Sequence, residues 1–168
     1  MNELDHIWSK MLADASQNAS NTGRQHVVEY LRLRATNDAI RMAGVSWLFD
    51  TFIELAGQAV RKHAAITIER EEPHSFKHGS STMVGSLVRV RQGVRCLTVE
   101  AGWARTPSDG IMRNGALAFA RITHFGMPKA GTAIRFVHGD DLPQWLDPND
   151  VAVDASMLSS HFETLLRH

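Results

Sequence analysis

The chain has 168 residues, 43% apolar and 21% charged, with 18 Lys/Arg balancing 18 Asp/Glu and a single cysteine, Cys96. A chain of this length buries roughly 70% of the surface its unfolded form exposes, so it needs neither disulfide nor structural metal, and one cysteine makes no intrachain bridge. No apolar run approaches the roughly 20 residues of a bilayer-spanning helix, and the start Met-Asn-Glu-Leu-Asp-His lacks the basic flank and apolar stretch of a secretory signal, so the expectation is a cytoplasmic protein with no membrane partner.

In chain order, residues 2–17 place Leu4, Ile7, Trp8, Met11, Leu12 and Ala15 at helical spacing, with Asn2 as N-cap and Glu3 and Asp5 in the first turn. Residues 18–23, Asn-Ala-Ser-Asn-Thr-Gly, are turn formers and predict a break. From His26 to Ala35 two periods compete. Leu31, Leu33 and Ala35 alternate with Tyr30, Arg32 and Arg34 as in a strand, while Val27, Tyr30, Leu31 and Arg34 also fit a helix; the alternation favours the strand. From about Ala39 to His63, apolar residues including Ile40, Ala43, Val45, Trp47, Leu48, Phe49, Phe52, Ile53, Leu55, Ala56 and Val60 surround one polar line of Asp50, Glu54, Gln58 and Arg61, which predicts a helix buried on most sides.

At Ile66 the period drops to two, and strands follow. Residues 82–91 and 94–101 flank Gln92-Gly93, which as a two-residue turn pairs Val90 with Arg95, Val88 with Leu97, Ser86 with Val99 and Val84 with Ala101. That face is the expected core, and the other carries Arg89 and Arg91. Pro107-Ser108-Asp109-Gly110 predicts a turn, residues 116–125 and 132–138 two further strands, and residues 155–167 a short closing helix. With no repeat or linker, the expectation is a single α+β domain over 1–168.

The zero net charge conceals unlike segments. Residues 1–76 hold eight Lys/Arg to ten Asp/Glu, residues 77–139 hold nine to two, and residues 140–168 hold one to six, giving −2, +7 and −5. Fourteen of the 18 cations are arginine, the side chain that suits planar contacts to phosphate or carboxylate. Nucleic-acid binding is disfavoured all the same, because no aromatic residue interleaves the base between Arg89 and Arg95.

The order of a strand, one long apolar helix, and then consecutive antiparallel strands resembles the hot-dog fold, most of all the small acyl-CoA thioesterases. Leu48-Phe49-Asp50-Thr51 looks like the Leu-x-Asp-Thr of that family's helix, and Val90 to Glu100 looks like its third and fourth strands. The resemblance implies a long central helix packed on a curved antiparallel sheet. Residues 1–22 would form an N-terminal helix, 23–125 the hot-dog-like core, and 126–168 a C-terminal extension. It also implies an acyl-CoA-like ligand, no cofactor, and a homodimer or homotetramer. Asp50 would then be the acid that attacks the thioester or activates water, Ala43 and Gly44 would polarise its carbonyl, and Arg89, Arg91 and Arg95 would hold the ligand's phosphates. The family's His-Gly-Gly ahead of the helix aligns here with Arg41-Met42-Ala43, which also admits a non-catalytic module of the same fold, whose acidic tail folds onto the basic sheet or docks a partner.

His74 and His78 sit four apart, but Pro73 and Gly79 put them in a loop rather than on a helix face, so no metal site is expected. His124, His138 and Asp140-Asp141 come near one another across the last predicted hairpin, where capping or turn roles fit best. Cys96 reads as a packed thiol.

Overall fold

The structure, a computed structural model, describes residues 3–21, 25–62 and 65–167. Asn2, Thr22, Gly23 and His63, expected as a cap, part of a break and a helix end, lie outside the described residues, whereas residues 18–21 of the expected break continue α1. Two helices open the chain, α1 (Glu3–Asn21) and α2 (Gln25–Lys62). Six strands follow, β1 (Ile66–His78), β2 (Ser81–Gln92), β3 (Arg95–Trp103), β4 (Ala116–His124), β5 (Thr132–Val137) and β6 (Gln144–Leu146), before the closing helix α3 (Ala155–Leu166).

Residues 26–35, expected as a strand, are the first turns of α2. The alternation of Leu31, Leu33 and Ala35 is real, but Leu31 and Ala35 also fall on one helical stripe with Asp38 and Met42, facing Leu12 of α1. Val28 is buried while Leu33 is exposed, so helical burial decides. The chain folds as two compact units, residues 1–42 and 43–168. In the first, α1 packs on the opening turns of α2 and Trp8 Nε1 donates to the buried carboxylate of Asp38 at 2.5 Å, which Arg41 also pairs at 2.7 Å. The Arg34 guanidinium lies over the Trp8 ring at 4.9 Å.

The second unit is a helix set against an open antiparallel sheet, the α+β hot-dog-like arrangement expected. The strands lie in the order β1 to β6, each beside its neighbour in sequence. The hairpin of β2 and β3 turns at Gly93-Val94, one residue later than expected, because the first central residue must take a positive φ and Gly93 does so at +59°. The pairing therefore runs Val90 to Leu97, Val88 to Val99 and Ser86 to Ala101, two residues from the expected register. A slip of two leaves every side chain on its face, so the expected core face holds although the cross-strand partners differ.

That core face presents Val88, Val90, Leu97, Val99, Ala101 and Ile122 to Leu48, Phe49, Phe52 and Ala56 of α2, all of them essentially inaccessible. Helix α3 adds Leu158, Phe162 and Leu165, with Phe162 and Phe52 ring centroids 5.6 Å apart. The acidic tail is thus part of the domain. Strand β6 pairs with β5, Asp150 pairs with Arg135, and Asp154 caps α3 by accepting from the Met157 amide at 2.9 Å. On the opposite face a smaller cluster of Phe76, Met83, Ala116 and Phe119 is closed by Ala104 and Met112.

Candidate functional site

Helix α2 sorts the residues of its Leu48-Phe49-Asp50-Thr51 motif by the 3.6 period. Leu48 and Phe49 are buried, Asp50 is exposed, and the Thr51 hydroxyl donates to the Trp47 carbonyl at 2.7 Å. The Asp50 carboxylate stands in water beside exposed Trp47 and Glu54. Ala43 and Gly44 lie well inside the same helix, where each amide donates to the carbonyl four residues earlier. Gly44 has a packing role instead. A Cβ there would sit 2.8 Å from Phe136 Cδ1 and closer still to Cε1 and Cζ, and its carbonyl accepts from Trp145 Nε1 at 3.0 Å. The bare backbone lets the Phe136–Trp145 pair, centroids 5.1 Å apart, press directly on the helix.

The three arginines expected to hold phosphates have protein partners. Arg89 Nη1 lies 2.6 Å from Glu71 Oε1, Arg91 Nε lies 3.5 Å from Glu69 Oε2, and Arg95 Nη1 donates to the Leu165 carbonyl at 3.1 Å. Strand β1 supplies the acids because its register sets Glu69 directly across from Arg89. The Arg89 guanidinium holds the Glu71 carboxyl below its usual range. Farther along this face Glu100 accepts from Arg121 Nε at 2.8 Å and lies 2.6 Å from His74 Nε2.

His74 and His78 are on β1, a correction to the expected loop. Pro73 is tolerated because β1 is an edge strand and its pairing shifts register between Glu71 and His74. They take different partners, His74 the Glu100 carboxylate and His78 the face of Phe119 at 3.7 Å. Burial, and then the Arg121 charge, push the His78 pKa down. Among the described residues no group of three or more His, Cys, Asp or Glu suits a metal ion. Cys96 Sγ lies 3.6 Å from Thr98 Oγ1.

The feature that sequence reasoning missed is where α3 meets the sheet. His124, buried on the core face of β4, meets His161 of α3 rather than His138 or Asp140, which are exposed. His124 Nε2 is 2.9 Å from His161 Nδ1, so one ring donates and the other accepts, and the ring planes lie 22° apart. Burial lowers both pKa values, and His161, with His124 against it, is held at about 4. Beside this neutral pair opens a cavity of about 360 Å³. Ile122, Ile134 and Leu158 supply apolar wall, and Thr132, His161 and Arg167 supply polar groups. The signal was present as the apolar stripe of 155–167 with a histidine inside it, but nothing local paired His161 with a residue 37 positions away.

Comparison with known protein families, with curated proteins and with solved structures gives no significant match.

Proposed function

We propose that the chain is a non-catalytic binding module of the hot-dog-like kind, holding a small, largely apolar molecule between α3 and strands β4 and β5. The observation that carries this reading is the course of α2. Thioester hydrolysis in the expected manner asks for two free amides aimed at the carbonyl oxygen, beside an acid drawn out of water. Ala43 and Gly44 spend their amides inside the helix, and Asp50 is exposed. Binding asks for less: a volume within the roughly 300–1,000 Å³ of ligand sites, apolar walls and a few polar groups. The cavity beside His161 has these.

The test is saturation-transfer NMR with octanol, octanoate and octanoyl-CoA as probes, on the wild type and on Ser160→Trp, which projects a large ring from the cavity wall. Binding of at least one probe, lost in Ser160→Trp, is the expected result. No binding, or binding indifferent to the substitution, overturns the proposal. Octanoyl-CoA turnover that disappears in Asp50→Ala would instead establish a hydrolase.

A further inference from the structure

One end of the second unit carries a charge and exposure pattern that overlaps the cavity only at Glu163 and Arg167. There α2 stops at Arg61 and Lys62, and four residues later β1 starts with Ile66 opposite Gln92. The β2–β3 turn lies beside it, and residues 125–131 join β4 to β5 at the same end, tied in by the Phe125 amide donating to the Cys96 carbonyl at 2.9 Å. Helix α3 also finishes here, where Arg95 holds the Leu165 carbonyl.

The two turns present apolar side chains to water. Val94 is 90% exposed, Phe125 78% and Met127 46%. Gly93 and Gly126, at φ +59° and +74°, make the tight turns that push Val94 and Phe125 outward. Single exposed apolar residues need no explanation, but three on adjacent turns form a patch. Around it stand Arg61, Lys62, Arg95, Lys129 and Arg167, with Glu163 the nearby acid, while Arg91 is offset by Glu69. Arg61, Lys62, Lys129 and Arg167 form no ion pair with any described carboxylate.

We infer that this end of the molecule docks onto an anionic lipid surface, with Val94, Phe125 and Met127 entering the headgroup boundary and the surrounding cations facing lipid phosphates. The charge distribution supplies such a partner where the zero net charge does not, because Asp150 and Asp154 of the tail and Glu69 and Glu71 of β1 are engaged elsewhere, on β5, α3 and β2. Aliphatic side chains at turn tips fit an acyl boundary and give a nucleic-acid base nothing to stack on, which favours lipid over RNA. No described helix is long and apolar enough to cross a bilayer, so the contact is peripheral.

Co-sedimentation of the full chain with vesicles tests this. One set is phosphatidylcholine alone and the other contains phosphatidylglycerol at roughly 30 mol%, since surface charge draws basic residues by about fivefold each. Retention on the anionic set alone is expected, falling by about tenfold or more from roughly 0.1 to 0.5 M salt. The double variant Val94→Ser/Phe125→Ser, at exposed turns where folding is checked by circular dichroism, should lose about tenfold. Arg61→Glu/Lys129→Glu, at exposed cations outside the cavity, should abolish retention. Absence of binding to anionic vesicles, equal binding to both sets, or binding that survives Val94→Ser/Phe125→Ser overturns the inference. So does retention on polyuridylate resin that depends on the same two side chains, which would make this a nucleic-acid surface.

Discussion

Two glycines of α2 offer a test in which the sign of the effect decides. In a helix interior, glycine costs about 1 kcal/mol relative to alanine, so Gly→Ala stabilises wherever the methyl finds room. At Gly57 a Cβ meets nothing within 4 Å, and Gly57→Ala is expected to raise stability by about 1 kcal/mol. At Gly44 the same methyl would lie 2.8 Å from Phe136 Cδ1 and nearer to two other ring atoms. Phe136 cannot step aside freely, because it is buried and packed at a tilt against Trp145, whose indole N–H holds the Gly44 carbonyl. Overpacking of this kind costs about 1–3 kcal/mol, and loosening the indole hydrogen bond costs about 1 more. Set against the propensity gain, Gly44→Ala should lose about 1–3 kcal/mol, or several degrees in melting temperature. Urea unfolding followed by far-ultraviolet circular dichroism measures both variants. Stabilisation by Gly44→Ala comparable to that of Gly57→Ala would refute the packing role assigned to Gly44. The further combination Gly44→Ala/Phe136→Leu should recover part of the loss, since the smaller side chain vacates the ring position.

Acid should weaken the fold through the histidine pair. His161 is held at about 4 against an ordinary 6.5, so the unfolded chain binds the extra proton first. Its contribution is complete above pH 6.5 and is lost as pH falls from there toward 4. The ceiling is about 3 kcal/mol, reduced to roughly half because the ring is partly exposed to screening water. Urea midpoints from pH 7.5 to 4.5 should show this slope flattened in His161→Phe, and an unchanged slope would refute the assignment. Glu100→Gln, at a carboxylate gripped by His74 and Arg121 and mostly shielded from water, should cost about 1.5 kcal/mol in the same assay, whereas Arg89→Ala, at an exposed pair, should cost less than about 0.5. Phe162→Ala, which removes the ring packed on Phe52, should cost about 3 kcal/mol, and a loss under 1 would mean that α3 is not part of the cooperative unit.

The fold was legible wherever one period dominated. Leu48, Phe49, Phe52 and Ala56 announce a buried helix face, and the alternation from Val84 to Ala101 announces both the strands and the face they bury. Where two periods overlapped, local pattern was insufficient. Over 26–35 the alternation of leucines looked like a strand until α1, brought in from elsewhere in the chain, covered the helical stripe instead. The hairpin turn was misplaced by one residue because Gln92-Gly93 and Gly93-Val94 both contain the needed glycine, and only the conformation shows that Gly93 comes first. Strand β6 was invisible, since its three residues are too few for a period and its pairing depends on β5 being in place.

The site was less legible, for a reason that the charges make plain. Counting by segment put +7 on residues 77–139 and suggested a basic sheet open to an anion, but charges belong to faces and ends, not to stretches of chain. Antiparallel pairing carries Glu69 and Glu71 from one segment beside Arg89 and Arg91 of another, and β6 and α3 bring the acidic tail back onto the same sheet. What pairing leaves over is a residue of positive charge gathered where α2 and α3 end and the turns at 93–94 and 125–131 protrude. Likewise His124 and His161 acquire their shared proton and their neutrality only when α3 docks on β4. In both places the chemistry arises from long-range pairing, so a reading of local motifs finds the right residue types and assigns them the wrong partners.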